Sequence, residues 1–176
     1  MARAGMRGAM SEEARAGTVV KVHRKPETPG ERGLPKIAAR EVHLTRSGVE
    51  GDFNRCRHEE RHDHPDMALL VMPLEVLDAL NREGWPVRPG DLGENVTTSG
   101  IPNDAFRVAR RLRIGTALVE VSKPCDPCDN LLLLPYVGTE GGPRFLKTTL
   151  GRRGWYCRVL EEGVLRPGDE VRFVPG

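Results

Sequence analysis

A basic excess is missing from this sequence: 27 Lys and Arg stand against 25 Asp and Glu, a net charge of +2. Recognition of duplex nucleic acid usually demands a pronounced positive balance, so no nucleic-acid partner is expected and any role for the basic residues is local. Long apolar runs are missing too. The longest, Met67 to Met72 and Leu131 to Leu134, fall far short of the ~20 residues needed to cross a bilayer, so no membrane partner is expected either. The amino terminus lacks the apolar stretch of about 7–15 residues that makes a signal peptide. Residues 1–16, rich in Ala, Arg and Gly, read as a disordered lead-in, and 17–176 as a single domain. Cysteine is sparse at four residues, which in a chain with no export signal points to a reducing, cytoplasmic setting where thiols react, bind metal or are simply buried. A domain of this length buries roughly 70% of its unfolded surface and needs no disulfide staples.

Helical periodicity is scarce as well. The one good candidate is Pro73 to Glu83, where Leu74, Leu77 and Leu80 share a face, Pro73 suits a first helical position and Gly84 follows as a stop. What fills the chain instead is short alternating or β-branched runs: Thr18 to Val22, Met67 to Val71, Asn95 to Thr98, Leu112 to Ile114, Ala117 to Ser122, Cys157 to Leu160 and Glu170 to Val174. Similar phrases punctuate them at Arg88-Pro89-Gly90-Asp91, Arg113-Ile114-Gly115-Thr116 and Arg166-Pro167-Gly168-Asp169. Each reads as a turn in which glycine supplies positive φ. With 20 Gly and 14 Pro in all, the pattern predicts a mostly β fold with a few short helices, a barrel or sandwich rather than a βαβ unit.

The densest chemical signal is Lys123-Pro124-Cys125-Asp126-Pro127-Cys128-Asp129. Asp126 and Pro127 look like an N-cap and first helical residue, which would place Cys128 in the first turn of a short helix, where free amides stabilise a thiolate. Lys123 supports that effect and Asp126 and Asp129 oppose it. A thiolate is both a nucleophile and a soft metal ligand. Rival readings are a zinc site completed from Cys56, His58, His62 and His64, a thioredoxin-like redox pair, and two buried structural cysteines. No flavin motif or ferredoxin-like cysteine spacing is present. The polar stretch Gly51 to Asp66, with three of the five histidines, reads as a solvated loop. Arg144, Lys147, Arg152, Arg153 and Arg158 form either a solvated face or a phosphate pocket, and spacing does not decide between them.

Taken in order, several phrases resemble one family. These are Gly48-Val49-Glu50-Gly51-Asp52, His62 to Ala68 around Pro65-Asp66, Gly90-Asp91-Leu92-Gly93-Glu94-Asn95-Val96-Thr97-Thr98, the strand ending in Pro124-Cys125-Asp126-Pro127-Cys128, and Gly151 to Leu160 followed by Arg166-Pro167-Gly168-Asp169. The chain resembles the molybdenum cofactor sulfurase C-terminal domain, or MOSC, family over about residues 17 to 174, and within it the small freestanding bacterial type. Two departures lie in one loop: Phe53-Asn54 stand where a histidine often follows Gly-Asp, and Asp63-His64 where two glycines are common.

The resemblance implies a β-barrel-like fold and molybdenum cofactor of the molybdopterin type. It implies that Cys128 is the metal ligand and reactive residue, while Cys125 falls at a variable position. Asn95 and Thr97 would then offer hydrogen bonds to the pterin or phosphate, and Lys147, Arg152 and Arg153 would offer charge. The implied activity is reduction of N-hydroxylated compounds, with an electron-donor protein as partner. A non-catalytic carrier of sulfur or cofactor is the alternative, and a structural or zinc-binding domain the second. Pyridoxal phosphate is not expected, since that unit of the sulfurases is separate and larger than this chain could hold.

Overall fold

The computed structural model describes residues 16–176. The expected lead-in therefore lies outside the described residues, save Ala16, which opens the first strand. Eleven strands and two α-helices are present among the described residues: β1 (Ala16–Arg24), β2 (Ile37–Ala39), β3 (Val42–Thr45), β4 (Gly48–Val49), β5 (Leu69–Pro73), α1 (Leu74–Arg82), β6 (Val96–Ser99), β7 (Arg111–Ile114), β8 (Ala117–Pro124), α2 (Gly138–Thr149), β9 (Trp155–Glu161), β10 (Gly163–Leu165) and β11 (Glu170–Val174).

Seven strands close a barrel in the order β11-β7-β8-β9-β5-β6-β1, with β1 pairing back onto β11 through Thr18 and Glu170. Closure removes the free edges that an open sheet would leave for aggregation. All these pairings are antiparallel except β5 with β6, where Val71 faces Val96. The period-2 alternation of the sequence sets which side chains enter the barrel: on β7 only Leu112 and Ile114 are buried, and on β11 only Val171 and Phe173. β2 extends β1 outside the ring, and β10, β3 and β4 form a separate small sheet.

β5 is buried along its whole length because both of its faces are covered. Leu69 and Val71 join the barrel core, while Met72 joins a second core with Leu77 and Leu80 of α1, Trp85, Leu92, Leu131 and Phe145 of α2. Pro73 is the N-cap of α1 rather than its first residue. The expected strand from Met67 starts at Leu69, because Pro65–Met67 turn as a 3-10 helix first. α2 lies outside the helix expected from the sequence, and its Gly141, Gly142 and Pro143 disfavour helix. Tertiary packing overrides that propensity, since a Cβ on Gly142 would come within 2.8 Å of Leu132 and Phe145 packs 4.7 Å from the Trp85 ring. The repeated glycines do take the left-handed conformation, with φ of 97° at Gly90, 54° at Gly115 and 93° at Gly168. Among the described residues no helix is long and apolar enough to cross a membrane.

Candidate functional site

β8 runs out at Pro124, and its continuation Cys125–Cys128 is pinned from two sides. The Cys125 amide donates to the Gly154 carbonyl at 2.9 Å, and the Asp126 carbonyl accepts from Arg153 Nη1 at 2.8 Å. Gly154 is required there: its φ is +79°, and a Cβ would run into the Val71 carbonyl of β5. The neighbouring Arg153 is 6% exposed and uses its rigid fork to join two distant phrases. Its Nε donates to the Leu92 carbonyl at 3.2 Å, inside the Gly90–Asn95 phrase, and its Nη1 also reaches the Cys128 sulfur at 3.2 Å. Burial alone would pull the Arg153 guanidinium down, but the facing Cys125 and Cys128 sulfurs and Tyr156 raise it, so the cation is secure.

Cys128 does not lie in the first turn of a helix capped by Asp126. It is itself the N-cap of a 3-10 turn, Asp129–Leu133, with extended backbone (φ −138°, ψ 167°). The Asp126 carbonyl is engaged by Arg153 instead of by a helix. The helical-amide account of the thiol therefore gives way to a guanidinium donor at the sulfur. The two cysteines of the motif also differ in setting. Cys128 is half-buried, whereas Cys125 is 2% exposed and packs with Met67, Leu70 and Tyr156. Burial pushes the Cys125 thiol up.

Cys128 and Arg153 line a cavity of about 260 Å³. Five cations face it, Arg32, Lys36, Arg61, Lys123 and Arg153, against the carboxylates of Glu60 and Asp126. Lys36 is buried and held by Asp52, whose two carboxylate oxygens each lie 2.6 Å from Nζ. The Gly51-Asp52 phrase is thus a scaffold: Asp52 also accepts from the Lys25 amide at 2.8 Å and from Asn95 Nδ2 at 2.9 Å.

The remaining sequence-predicted residues lie elsewhere. Asn95 is buried with its amide used internally, donating to Asp52 and accepting from the Leu70 amide at 3.2 Å. Thr97 donates to Glu94 Oε1 at 3.2 Å, and neither residue lines the cavity. Glu94 itself is fully buried, and burial pushes its carboxyl up to about 7. Arg152 pairs with Glu83 at 2.8 Å on the surface, and Lys147 is exposed on α2. Arg144 lies over the Trp85 ring and Arg158 pairs with Asp66, so of that basic group only Arg153 faces the cavity.

The stretch from Gly51 to Asp66 is only half solvated. His58, His62 and His64 are exposed, and His58 pairs with Asp63 at 3.0 Å. Cys56, Glu60 and Arg61, however, form one wall of the cavity. Burial, the Glu60 carboxylate and the nearby Cys128 sulfur push the Cys56 thiol up. No group of three or more His, Cys, Asp or Glu side chains is arranged to hold a metal ion among the described residues, which leaves the Cys56–histidine zinc set unassembled. Arg32, Lys36 and Arg61 went unnoticed in the sequence because isolated cations in polar segments look the same whether they face a cavity or water. Lys123 alone stood out, through its place beside the cysteine motif.

Residues 58–172 match the model of the MOSC domain. Over 149 residues the chain is 33% identical to the uncharacterized protein YflK of Bacillus subtilis, covering 82% of this chain and 64% of that protein. It is 30% identical over 140 residues to the protein YiiM of Escherichia coli, covering 76% of this chain and 59% of that one. It therefore spans about three fifths of the length of these curated relatives. The crystal structure of YiiM from Geobacillus stearothermophilus superposes with a TM-score of 0.68 at 28% identity, over 90% of this chain and 75% of that one. The YUAD protein of Bacillus subtilis shares the fold with a TM-score of 0.75 at 18% identity, over 90% of this chain and 95% of that one. With its closed barrel and its match to the domain model over most of its length, the chain belongs to the MOSC family.

Proposed function

We propose that this protein binds molybdenum cofactor in the cation-lined cavity, with Cys128 as the thiolate ligand of the metal, and that the loaded protein reduces N-hydroxylated compounds. The observation that carries the reading is the Cys128 sulfur, half-buried on a cavity wall and held at 3.2 Å by a buried guanidinium. The donor set fits such a group. A thiolate suits a soft metal, and four cations besides the Asp52-paired Lys36, against two carboxylates, suit an anionic, phosphate-bearing ligand.

When bound, the cofactor supplies a metal able to accept an oxygen atom in a two-electron step. The chain's own residues do the holding. Arg153 orients Cys128 and joins it to the Gly90–Asn95 phrase, while Arg61 and Lys123 offer charge to the anionic part of the ligand. Removing oxygen from a hydroxylamine consumes two electrons and two protons and yields the amine and water. A separate electron-donor protein brings the electrons.

The test is metal analysis of protein from cells that make the cofactor. Molybdenum near one per chain is expected in the wild type and in Cys125→Ala, and its loss in Cys128→Ala. Given an artificial reductant, the loaded protein should convert N-hydroxylated purines or amidoximes to amines. Loaded protein that stays inert toward these substrates yet passes cofactor or sulfur to an apo-enzyme would replace the reductase reading with a carrier. Molybdenum content unaffected by Cys128→Ala would remove the assigned ligand.

A further inference from the structure

We propose that Cys56 is the resolving thiol of Cys128, so that peroxide closes a Cys56–Cys128 disulfide in the cavity and takes the reactive sulfur out of use. The pairing rests on where the four cysteines sit. Cys125 and Cys157 are 2% and 0% exposed, whereas Cys56 and Cys128 are both half-buried. Both line the main cavity, as does the more buried Cys125, but of the four cysteines only these two line the adjoining surface groove with Arg32, Arg55 and Glu60. They come from different segments of the chain: Cys56 from the loop after β4, Cys128 from the segment after β8.

The local backbone favours the same pair. Cys56 opens a single π-helical turn, Cys56–Glu60, that has no buried residue and no side-chain cap. A disulfide needs the two Cα atoms within about 7 Å, and a turn whose only core contact is Cys56 at the edge of the Met67–Leu70–Tyr156 cluster has fewer buried contacts to give up than the Cys125 segment. Cys125 is a poor alternative. Its amide is tied to Gly154, its sulfur lies 3.7 Å from the Asp126 carbonyl, and it is buried within the cluster of Met67, Leu70 and Tyr156, against which Cys56 packs only from the outside. Arg153 meanwhile keeps the Cys128 sulfur on the cavity side.

The chemistry balances with hydrogen peroxide as the oxidant. The Cys128 thiolate attacks one peroxide oxygen; an S–O bond forms as the O–O bond breaks, hydroxide leaves and takes a proton, and the sulfur is oxidised by two electrons to a sulfenic acid. The Cys56 sulfur then attacks the sulfenic sulfur. The S–S bond forms as S–O breaks, and the oxygen leaves as water with the Cys56 proton. Two thiols and one peroxide become one disulfide and two waters. Without a resolving thiol the sulfenic acid is open to irreversible oxidation to the sulfinic acid.

The experiment treats the purified, cofactor-free full chain with graded hydrogen peroxide, alkylates it after unfolding, and maps peptides by mass spectrometry without reductant. The expected result is a linked peptide joining Cys56 to Cys128, loss of two of the four free thiols, and full recovery with dithiothreitol. In Cys56→Ser or Cys56→Ala the link should vanish and Cys128 should advance to sulfinic acid, while Cys125→Ala should keep the link. A Cys125–Cys128 link in the wild type would overturn the proposal. So would sulfinic acid forming at Cys128 equally fast with and without Cys56. Because no metal is involved, these outcomes are independent of whether the protein takes up molybdenum.

Discussion

Replacing Asp52 by Ala should destabilise the protein more than removal of any single exposed charge, because it strands a buried cation. The Lys36 and Asp52 side chains are 2% and 9% exposed, and Nζ lies 2.6 Å from the carboxylate. Removing one member of a buried pair costs about 3–5 kcal/mol. Asp52→Ala also orphans the Lys25 amide and leaves Asn95 Nδ2 with only the longer bond to the His23 carbonyl, and the expected loss lies at the upper end of that range, about 4–5 kcal/mol. At about 2–4 °C per kcal/mol for a chain this long, the midpoint should fall by roughly 8–20 °C. Lys36→Met should cost less, about 2–3 kcal/mol, since Asp52 keeps two backbone and side-chain donors.

The loss should also depend on pH. Burial lowers the Lys36 pKa and the Asp52 carboxylate opposes that shift. Without Asp52 the lysine sheds its proton more readily, so the deficit of Asp52→Ala should shrink as pH rises from 7 toward 10. Urea unfolding followed by circular dichroism gives the numbers, with a shifted midpoint at unchanged slope marking a true stability change. If Asp52→Ala and Lys36→Met each cost under about 1 kcal/mol, a value typical of exposed pairs, the buried-pair argument is wrong.

The cysteines should alkylate in a fixed order at pH 7 in cofactor-free protein, Cys128 first, then Cys56, with Cys125 and Cys157 reacting only after unfolding, because burial pushes the last two thiols up and shields them; equal rates at Cys128 and Cys157 would contradict the structure. Glu94, with its pKa raised to about 7, holds its proton in the fold at pH values where the unfolded chain has lost it. Its contribution is full below the unfolded pKa and is lost as pH rises through about 7, so Glu94→Gln should gain roughly 2–3 kcal/mol over wild type on going from pH 5 to pH 8. A gain that is constant across that window would refute the assignment. Gly154→Ala should cost at least about 2 kcal/mol, because the left-handed backbone and the Val71 carbonyl both oppose a Cβ. Normal stability in that variant, read by thermal unfolding, would mean the turn before β9 can relax.

Short-range patterns made the β architecture legible. Alternation on β7, β8 and β11 requires only that one face meet apolar surface, and the glycines of the Arg88–Asp91 and Arg166–Asp169 turns carry their positive φ wherever the chain folds. The motif around Cys128 was legible for the same reason, since two prolines and two cysteines within five residues stand out locally. α2 was not, because its glycines and proline argue against a helix and only Leu132, Trp85 and the second core pull it into one. The site was decided almost wholly by tertiary structure. Asn95 and Thr97 are polar residues in a conspicuous phrase, yet the fold turns them inward to Asp52 and Glu94. Arg152 and Arg153 are adjacent and identical in type, but one pairs with Glu83 at the surface and the other is buried against Cys128. Sequence fixes the chemistry of a side chain, whereas burial and partners arise from residues distant along the chain, so which cation met the sulfur awaited the closed barrel.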